Sequence, residues 1–158
     1  MTPQEIEFTR LWTAELVKKY VPEEEAVFEE ISTEFFEDPS VFHQPEGPSD
    51  AALGFGVGDV IQLVTPGLIS MVSFIVLQIS QKFGEEFVKG TLSGVGNKFG
   101  EKTISLFFEK LEANKSEINT DQIKNKIIEE AAQYGLSGKK CIELANKIMQ
   151  QMHSKGHE

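Results

Sequence analysis

The sequence predicts an all-α protein: a helical bundle of about five to seven helices around a central apolar helix, with a C-terminal helical hairpin. Apolar residues recur at helical spacing through most of the chain. Proline and glycine stand where helices begin and end, and no sequence typical of a β-hairpin is present. At 158 residues the chain is long enough to form one compact domain with its own core.

Residues 1–38 are predicted to form a pair of amphipathic helices. Thr2 is a good N-cap, Pro3 suits the first turn, and Glu5 completes a capping box for a helix that runs to about Tyr20. A second helix is expected from Pro22 to about residue 38. The predicted apolar faces consist of Phe8, Leu11, Trp12, Leu16 and Tyr20 in the first helix and Val27, Phe28, Ile31 and Phe35 in the second.

The middle of the chain is predicted to be a proline-rich extended loop, residues 39–50, followed by a glycine-punctuated apolar helical region, residues 51–113. Residues 51–58 fit either a helix or a loop. We expect a helix over 66–89 with Thr65 as its N-cap, a break within 90–100, and a further helix over 101–113. The apolar face of that last helix consists of Ile104, Phe107, Phe108 and Leu111.

Residues 114–158 are predicted to form the C-terminal helical hairpin and a short tail. Thr120 caps the first helix of this hairpin, Gly135 ends it, and Ser137 caps the second helix. The expected apolar faces consist of Ile123, Ile127, Ile128 and Ala131 in the first helix and Cys141, Leu144, Ala145, Ile148 and Met152 in the second.

The net charge of -10 is concentrated in one part of the chain. Residues 21–50 contain ten acidic residues and no lysine or arginine, whereas the acidic and basic residues elsewhere balance. Such a surface repels phosphates, so nucleic-acid binding is not expected. Cys141 is the single cysteine, which excludes an internal disulfide, and residues 1–20 do not resemble a secretory signal. We therefore expect a protein of the cytosol or of a cytosolic membrane face, which it would join on a trigger.

No pattern of residues predicts a catalytic, metal or cofactor site. The glycines at 54–58 lack the spacing and the lysine of a phosphate loop. His153 and His157 are four residues apart, but Gly156 lies between them and the sequence ends one residue after His157, which favours a frayed tail over a metal pair. Cys141 lies on an apolar helical face and is expected to be buried and structural. The acidic residues of 23–38 are expected to be solvated rather than catalytic.

Residues 60–81 are uncharged over a length that could cross a bilayer. If Pro66 and Gly67 form a turn or a helix start, each arm has only about 14–15 residues, or about 21 Å of helix, against a hydrocarbon core of about 30 Å. Only a weakly polar stripe of serine, threonine and glutamine interrupts the apolar surface of residues 60–81. Such a helix is typical of the centre of a bundle or of a membrane element. The candidate membrane-contact or partner-contact residues are Leu68, Ile69, Val72, Phe74, Ile75, Val76 and Ile79.

Two classes of function follow from this segment. In the first, it is the core of a non-enzymatic helical module that regulates or binds a protein partner, or associates with itself. In the second, it leaves the bundle on a trigger and inserts into a membrane, as in a small pore-forming or membrane-perturbing effector. The sequence does not separate these alternatives.

Overall fold

Seven α-helices make up most of the described part of the protein. A computed structural model describes residues 1–43, 63–95, 100–113 and 118–154, and every regular element in those ranges is helical. This confirms the predicted all-α fold. The helices are α1 (Pro3–Tyr20), α2 (Phe28–Glu37), α3 (Thr65–Phe83), α4 (Glu85–Val95), α5 (Gly100–Glu112), α6 (Thr120–Ala132) and α7 (Gly138–Ser154), with short 3-10 helices at Pro22–Val27 and Pro39–Phe42.

Helix α3 lies at the centre of the bundle, as the sequence predicts. It packs against α1, α2, α4 and α6, while α5 packs against α1, α4 and α7. Most of its side chains are buried, and one cluster of buried apolar residues includes members from all seven helices. Lys82 in the last turn is the single charged side chain of α3, so the rest of the helix has no side that strongly favours water, and neighbours on several sides remove it from solvent.

Helix α1 begins and ends where its capping residues indicate. The Thr2 hydroxyl accepts a hydrogen bond from the Glu5 amide (3.1 Å), and the Glu5 carboxylate accepts one from the Thr2 amide (2.9 Å), which completes the predicted capping box. The helix ends at Tyr20. Pro22 disfavours helical geometry at the residue before it, and Val21 accordingly leaves the helical region.

An aromatic layer joins α1 to the helices on one side of the bundle. The ring centroids of Phe8 and Phe107 are 4.4 Å apart, and Trp12 meets Phe108 edge-on at 5.1 Å. The Trp12 indole Nε1 donates a hydrogen bond to Gln151 Oε1 in α7 (3.0 Å). Because Trp12 is fully buried and is the single tryptophan, its fluorescence reports on this core.

The C-terminal hairpin has the predicted apolar faces but a different N-cap. Asn119, not Thr120, caps α6, since its side chain accepts a hydrogen bond from the Gln122 amide (3.0 Å). Thr120 is the first helical residue. The predicted apolar residues of α7 are buried, as are those of α6 except the half-buried Ile128.

A glycine turn connects α6 to α7 and carries an apolar side chain into the core. Gly135 has a φ of 89°, which residues with a side chain rarely adopt. The Leu136 amide then donates to the Ala131 carbonyl (3.1 Å), and the Leu136 side chain is buried against α3 at Gly67. Residue 67 is therefore a point of close approach between the hairpin and α3.

The prediction of a single helix over residues 66–89 is wrong, because two helices occupy this region. Gly84 has a φ of 94° and ends α3 after Phe83, and α4 begins at Glu85. Helix α4 continues through Gly90 to Val95, so the predicted break does not lie at Gly90; residues 96–99 fall outside the described ranges. A single glycine costs a helix only about 1 kcal/mol, which tertiary packing can offset.

The second predicted helix also differs at its start. Residues Pro22–Val27 form a 3-10 helix, and α2 begins only at Phe28. A 3-10 helix has about three residues per turn rather than 3.6, which shifts the residues that face the core. As a result Val27 is 37% exposed, contrary to prediction, whereas Glu24 is only 7% exposed.

Part of the predicted proline-rich loop is helical. Pro39–Phe42 forms a short 3-10 helix whose first amide, that of Ser40, donates to the Asp38 carboxylate (3.2 Å). The expectations for residues 44–50, 51–58 and 155–158 lie outside the described residues.

We predict that Gly67→Ala destabilises the protein although alanine favours a helix. A Cβ atom at residue 67 would lie 2.5 Å from the Leu136 Cβ, so the hairpin must move, at an expected cost of about 1–3 kcal/mol in the free energy of unfolding. Urea unfolding followed by Trp12 fluorescence measures this cost.

The matched control is Gly90→Ala. A Cβ atom there meets only the Lys110 Nζ at 3.4 Å, so we expect unchanged stability or a gain of about 0.5–1 kcal/mol. If Gly67→Ala is as stable as wild type, the close contact with Leu136 does not position the hairpin.

Candidate binding groove

The candidate contact residues of the apolar segment lie inside the bundle. Leu68, Ile69, Val72, Ile75, Val76 and Ile79 are almost fully buried, and Phe74 is half-buried against the same core. In the folded protein these side chains therefore contact the core rather than a partner. Among the described helices, α3 is long and apolar enough to cross a membrane, and most of that stretch is buried.

Glu24 caps α3 from a distance of 40 residues along the chain. Its Oε1 atom accepts hydrogen bonds from the Thr65 amide (2.8 Å) and the Thr65 hydroxyl (2.6 Å), and its Oε2 atom accepts one from the Val64 amide (2.8 Å). Thr65 is thus the first helical residue and donates to Glu24, whereas the sequence predicts it to be the N-cap. A negative charge is also favourable at the positive end of a helix.

The weakly polar stripe of α3 is enclosed by the bundle. The Ser70 hydroxyl donates to the Gly67 carbonyl within the helix (2.7 Å). The Ser73 and Ser80 hydroxyls are buried and have no hydrogen-bond partner among the described residues. These two residues are seven apart and so lie on one side of α3.

The surface between α1 and α2 contains an open apolar groove of about 550 Å³, here called the α1–α2 groove. Its apolar lining consists of Pro3, Ile6, Leu11, Ala14 and Phe28. The first four belong to α1 and share one face of that helix, since they follow a spacing of three to five residues. This face is distinct from the one that carries Phe8 and Trp12 into the core.

Three charged side chains complete the α1–α2 groove. Arg10 of α1 donates a hydrogen bond to the Glu29 carboxylate of α2 at 2.7 Å, which connects the two walls. The Glu29 side chain is 83% exposed, and Glu7 is exposed as well. Carboxylates in this solvated setting lack the burial that tunes a general acid or base.

A second surface depression provides a comparison. The α5 depression, of about 370 Å³, is lined by Glu101, Lys102, Ser105, Leu106 and Glu109 of α5 alone. Its lining contains one apolar side chain and charges of both signs, whereas the α1–α2 groove is mostly apolar. We therefore take the α1–α2 groove as the candidate site.

No protein family, curated protein or solved structure matches this chain. The function has to be argued from the described residues alone.

Burial affects two reactive side chains outside the groove, Cys141 and Lys110. Cys141 is fully buried, as expected, and desolvation raises the pKa of its thiol, which disfavours the nucleophilic thiolate. Burial lowers the pKa of Lys110, whose ammonium donates to the Phe87 carbonyl at 2.8 Å. Within the ranges described, no three His, Cys, Asp or Glu residues are grouped to hold a metal ion.

The sequence interpretation missed the groove because it assigned Leu11 to the core. Leu11 is half-buried and lines the groove, and Ile6 and Ala14 were given no role. The signal was present, since these three residues form a second apolar face on α1. That face cannot be recognised as a groove until α2 is placed beside it.

We predict that Glu24→Gln weakens the anchoring of α3. The substitution keeps the size of the side chain but replaces one accepting oxygen by an amide group that faces N–H donors. Hydrogen bonds to charged groups contribute about 1.5–3 kcal/mol, so we expect a loss of about that size in the free energy of unfolding, measured by urea titration.

Glu23→Gln and Glu25→Gln are the controls for this substitution. Both residues are exposed in the same 3-10 helix, and changes there should stay within about 0.5 kcal/mol of wild type. Equal effects at residues 23, 24 and 25 would mean that net charge, not the contact with Thr65, determines stability.

Proposed function

We propose that this protein is a non-enzymatic helical interaction module that binds a partner protein in the α1–α2 groove. The observation that carries the proposal is the apolar face of α1 formed by Ile6, Leu11 and Ala14, which the bundle leaves open while it buries α3. Exposed apolar grooves with a polar rim are typical of protein-binding surfaces.

The dimensions of the groove support a helical or extended peptide as its occupant. From Pro3 to Ala14 the lining runs along about 16 Å of α1 at 1.5 Å per residue. Amphipathic helices bind in such grooves by inserting apolar side chains from successive turns. The α2 wall, formed by Phe28 and Glu29, gives the groove its second side.

The chemistry of the lining supports binding rather than catalysis. Among the described residues that line the groove there is no histidine, cysteine or serine to act as nucleophile or base. Arg10 is already engaged by Glu29. The remaining carboxylate, Glu7, is exposed to solvent.

We predict that peptides selected from a random displayed library for binding to the intact protein depend on Leu11. In Leu11→Gln the centre of the groove becomes polar, and we expect the selected peptides to bind at least fivefold more weakly, the usual effect of losing an apolar anchor. Affinity is measured by fluorescence anisotropy with the selected peptides.

Leu106→Gln is the matched control, because Leu106 is also a half-buried leucine in a surface depression, the α5 depression. Circular dichroism checks that both variants fold. Peptides that bind wild type, Leu106→Gln and Leu11→Gln equally well, or a selection that enriches none, would contradict the proposal.

One observation favours a second candidate function, insertion of α3 into a membrane. The observation is the length of α3, whose 19 residues, Lys82 among them, extend about 28 Å, close to the hydrocarbon thickness of about 30 Å. Its enclosed serine hydroxyls, Ser73 and Ser80, would suit contacts between membrane helices.

The cost of releasing α3 favours the first candidate. Burial of each large apolar side chain contributes about 1.5–3 kcal/mol. Because an inserted α3 exchanges the core for hydrocarbon, the loss falls on the helices that cover it, whose apolar side chains would then contact water. Six such side chains are together comparable with the whole net stability of a domain, about 5–15 kcal/mol. Insertion also requires that Glu24 lose its contacts with Thr65. The two candidate functions thus make different predictions for the protein in the presence of lipid. A binding module keeps α3 packed against its neighbouring helices, whereas a membrane-inserting protein does not.

A further inference from the structure

We propose that the occupant of the α1–α2 groove is a basic amphipathic helix of about three turns from a partner protein. This inference rests on the proposed function and adds the chemistry of the partner. It follows from the charges around the groove together with the spacing of its apolar lining.

Two of the three charged side chains that line the groove are carboxylates. Glu7 and Glu29 stand on its two walls, and Arg10, the cation among the lining residues, is paired with Glu29. The elements that continue the α2 wall, Pro22–Val27 and α2, carry further exposed carboxylates and no lysine or arginine. A basic partner is steered toward such a surface, whereas acidic peptides and anionic lipid are repelled.

The existing ion pair leaves room for additional donors. A carboxylate offers about four acceptor positions. The Glu29 carboxylate uses one of them for Arg10, and its side chain is 83% exposed. A lysine or arginine of the partner can therefore bind Glu29 and Glu7 while the Arg10–Glu29 contact persists.

The spacing of the lining sets the pattern of the partner. Ile6, Leu11 and Ala14 offer apolar contacts at successive turns of α1. A helix that lies along α1 meets them with apolar side chains at positions i, i+4, i+7 and i+11, and its lysines then flank this stripe on both sides. The α5 depression has a comparable set of charges, Glu101, Lys102 and Glu109, but lacks the apolar row.

Three synthetic peptides test this inference on the intact protein. Each has about 15 residues and leucines at i, i+4, i+7 and i+11. The other positions carry lysine and glutamine in the first peptide, glutamine alone in the second, and glutamate and glutamine in the third. Labelled peptides are titrated by fluorescence anisotropy at about 0.05 M and about 0.3 M salt.

We expect the lysine peptide to bind about tenfold more tightly than the glutamine peptide at low salt, because several exposed charge pairs each add a small gain. This advantage should shrink at high salt, and the glutamate peptide should bind most weakly. Leu11→Gln should weaken the lysine peptide at least fivefold. Glu7→Gln should weaken it about two- to fivefold and leave the glutamine peptide unchanged.

Leu106→Gln and Glu109→Gln in the α5 depression are the controls and should bind like wild type. Equal binding of the lysine and glutamine peptides, with loss in Leu11→Gln, would overturn the inference of a basic partner but leave the groove as the binding site. Lysine-peptide binding that Leu11→Gln does not weaken would show charge-driven adhesion and overturn the inference. Binding by none of the peptides would also overturn it, and the library selection would then decide the proposed function separately.

Discussion

The burial of α3 is the constraint on which the rest of the structure depends. Apart from Lys82 in its last turn this helix carries no charge, and α1, α2, α4 and α6 cover it. Each covering helix is amphipathic. Its apolar face packs against the core, and most of its charged residues contact solvent. Helix α1 also has a second apolar face, formed by Ile6, Leu11 and Ala14. This face lines the α1–α2 groove.

Two contacts between distant parts of the chain hold α3 in this position. Glu24 satisfies the first amides of α3, which have no partner within the helix. Gly67 lets Leu136 of the hairpin approach to a distance that no side chain would permit. Both contacts join the first turn of α3 to elements far away in sequence. The start of the core helix is therefore fixed by the acidic N-terminal region and by the C-terminal hairpin together.

Periodicity and capping rules predicted most of the helices and most of the core, because both act over a few residues. The capping box of Thr2 and Glu5 and the apolar faces of α5 and α7 are examples. Contacts over long sequence distances could not be predicted. Glu24 belongs to an acidic run that looks solvated, and only the neighbouring start of α3 explains its burial. The groove likewise forms only when α2 lies beside α1. The pattern of α1 alone therefore could not distinguish Leu11 from a core residue.

Hydrogen exchange of the intact protein, with and without vesicles of phosphatidylcholine and phosphatidylglycerol, tests most directly whether α3 is a permanent core helix. An inserted helix also stays protected, so the amides of α1, α2 and α6 are the decisive readout. We expect α3 to exchange only through global unfolding, and its neighbours to keep the same protection when vesicles are added. Loss of protection in α1, α2 and α6 on vesicles, while α3 stays protected, would contradict the account.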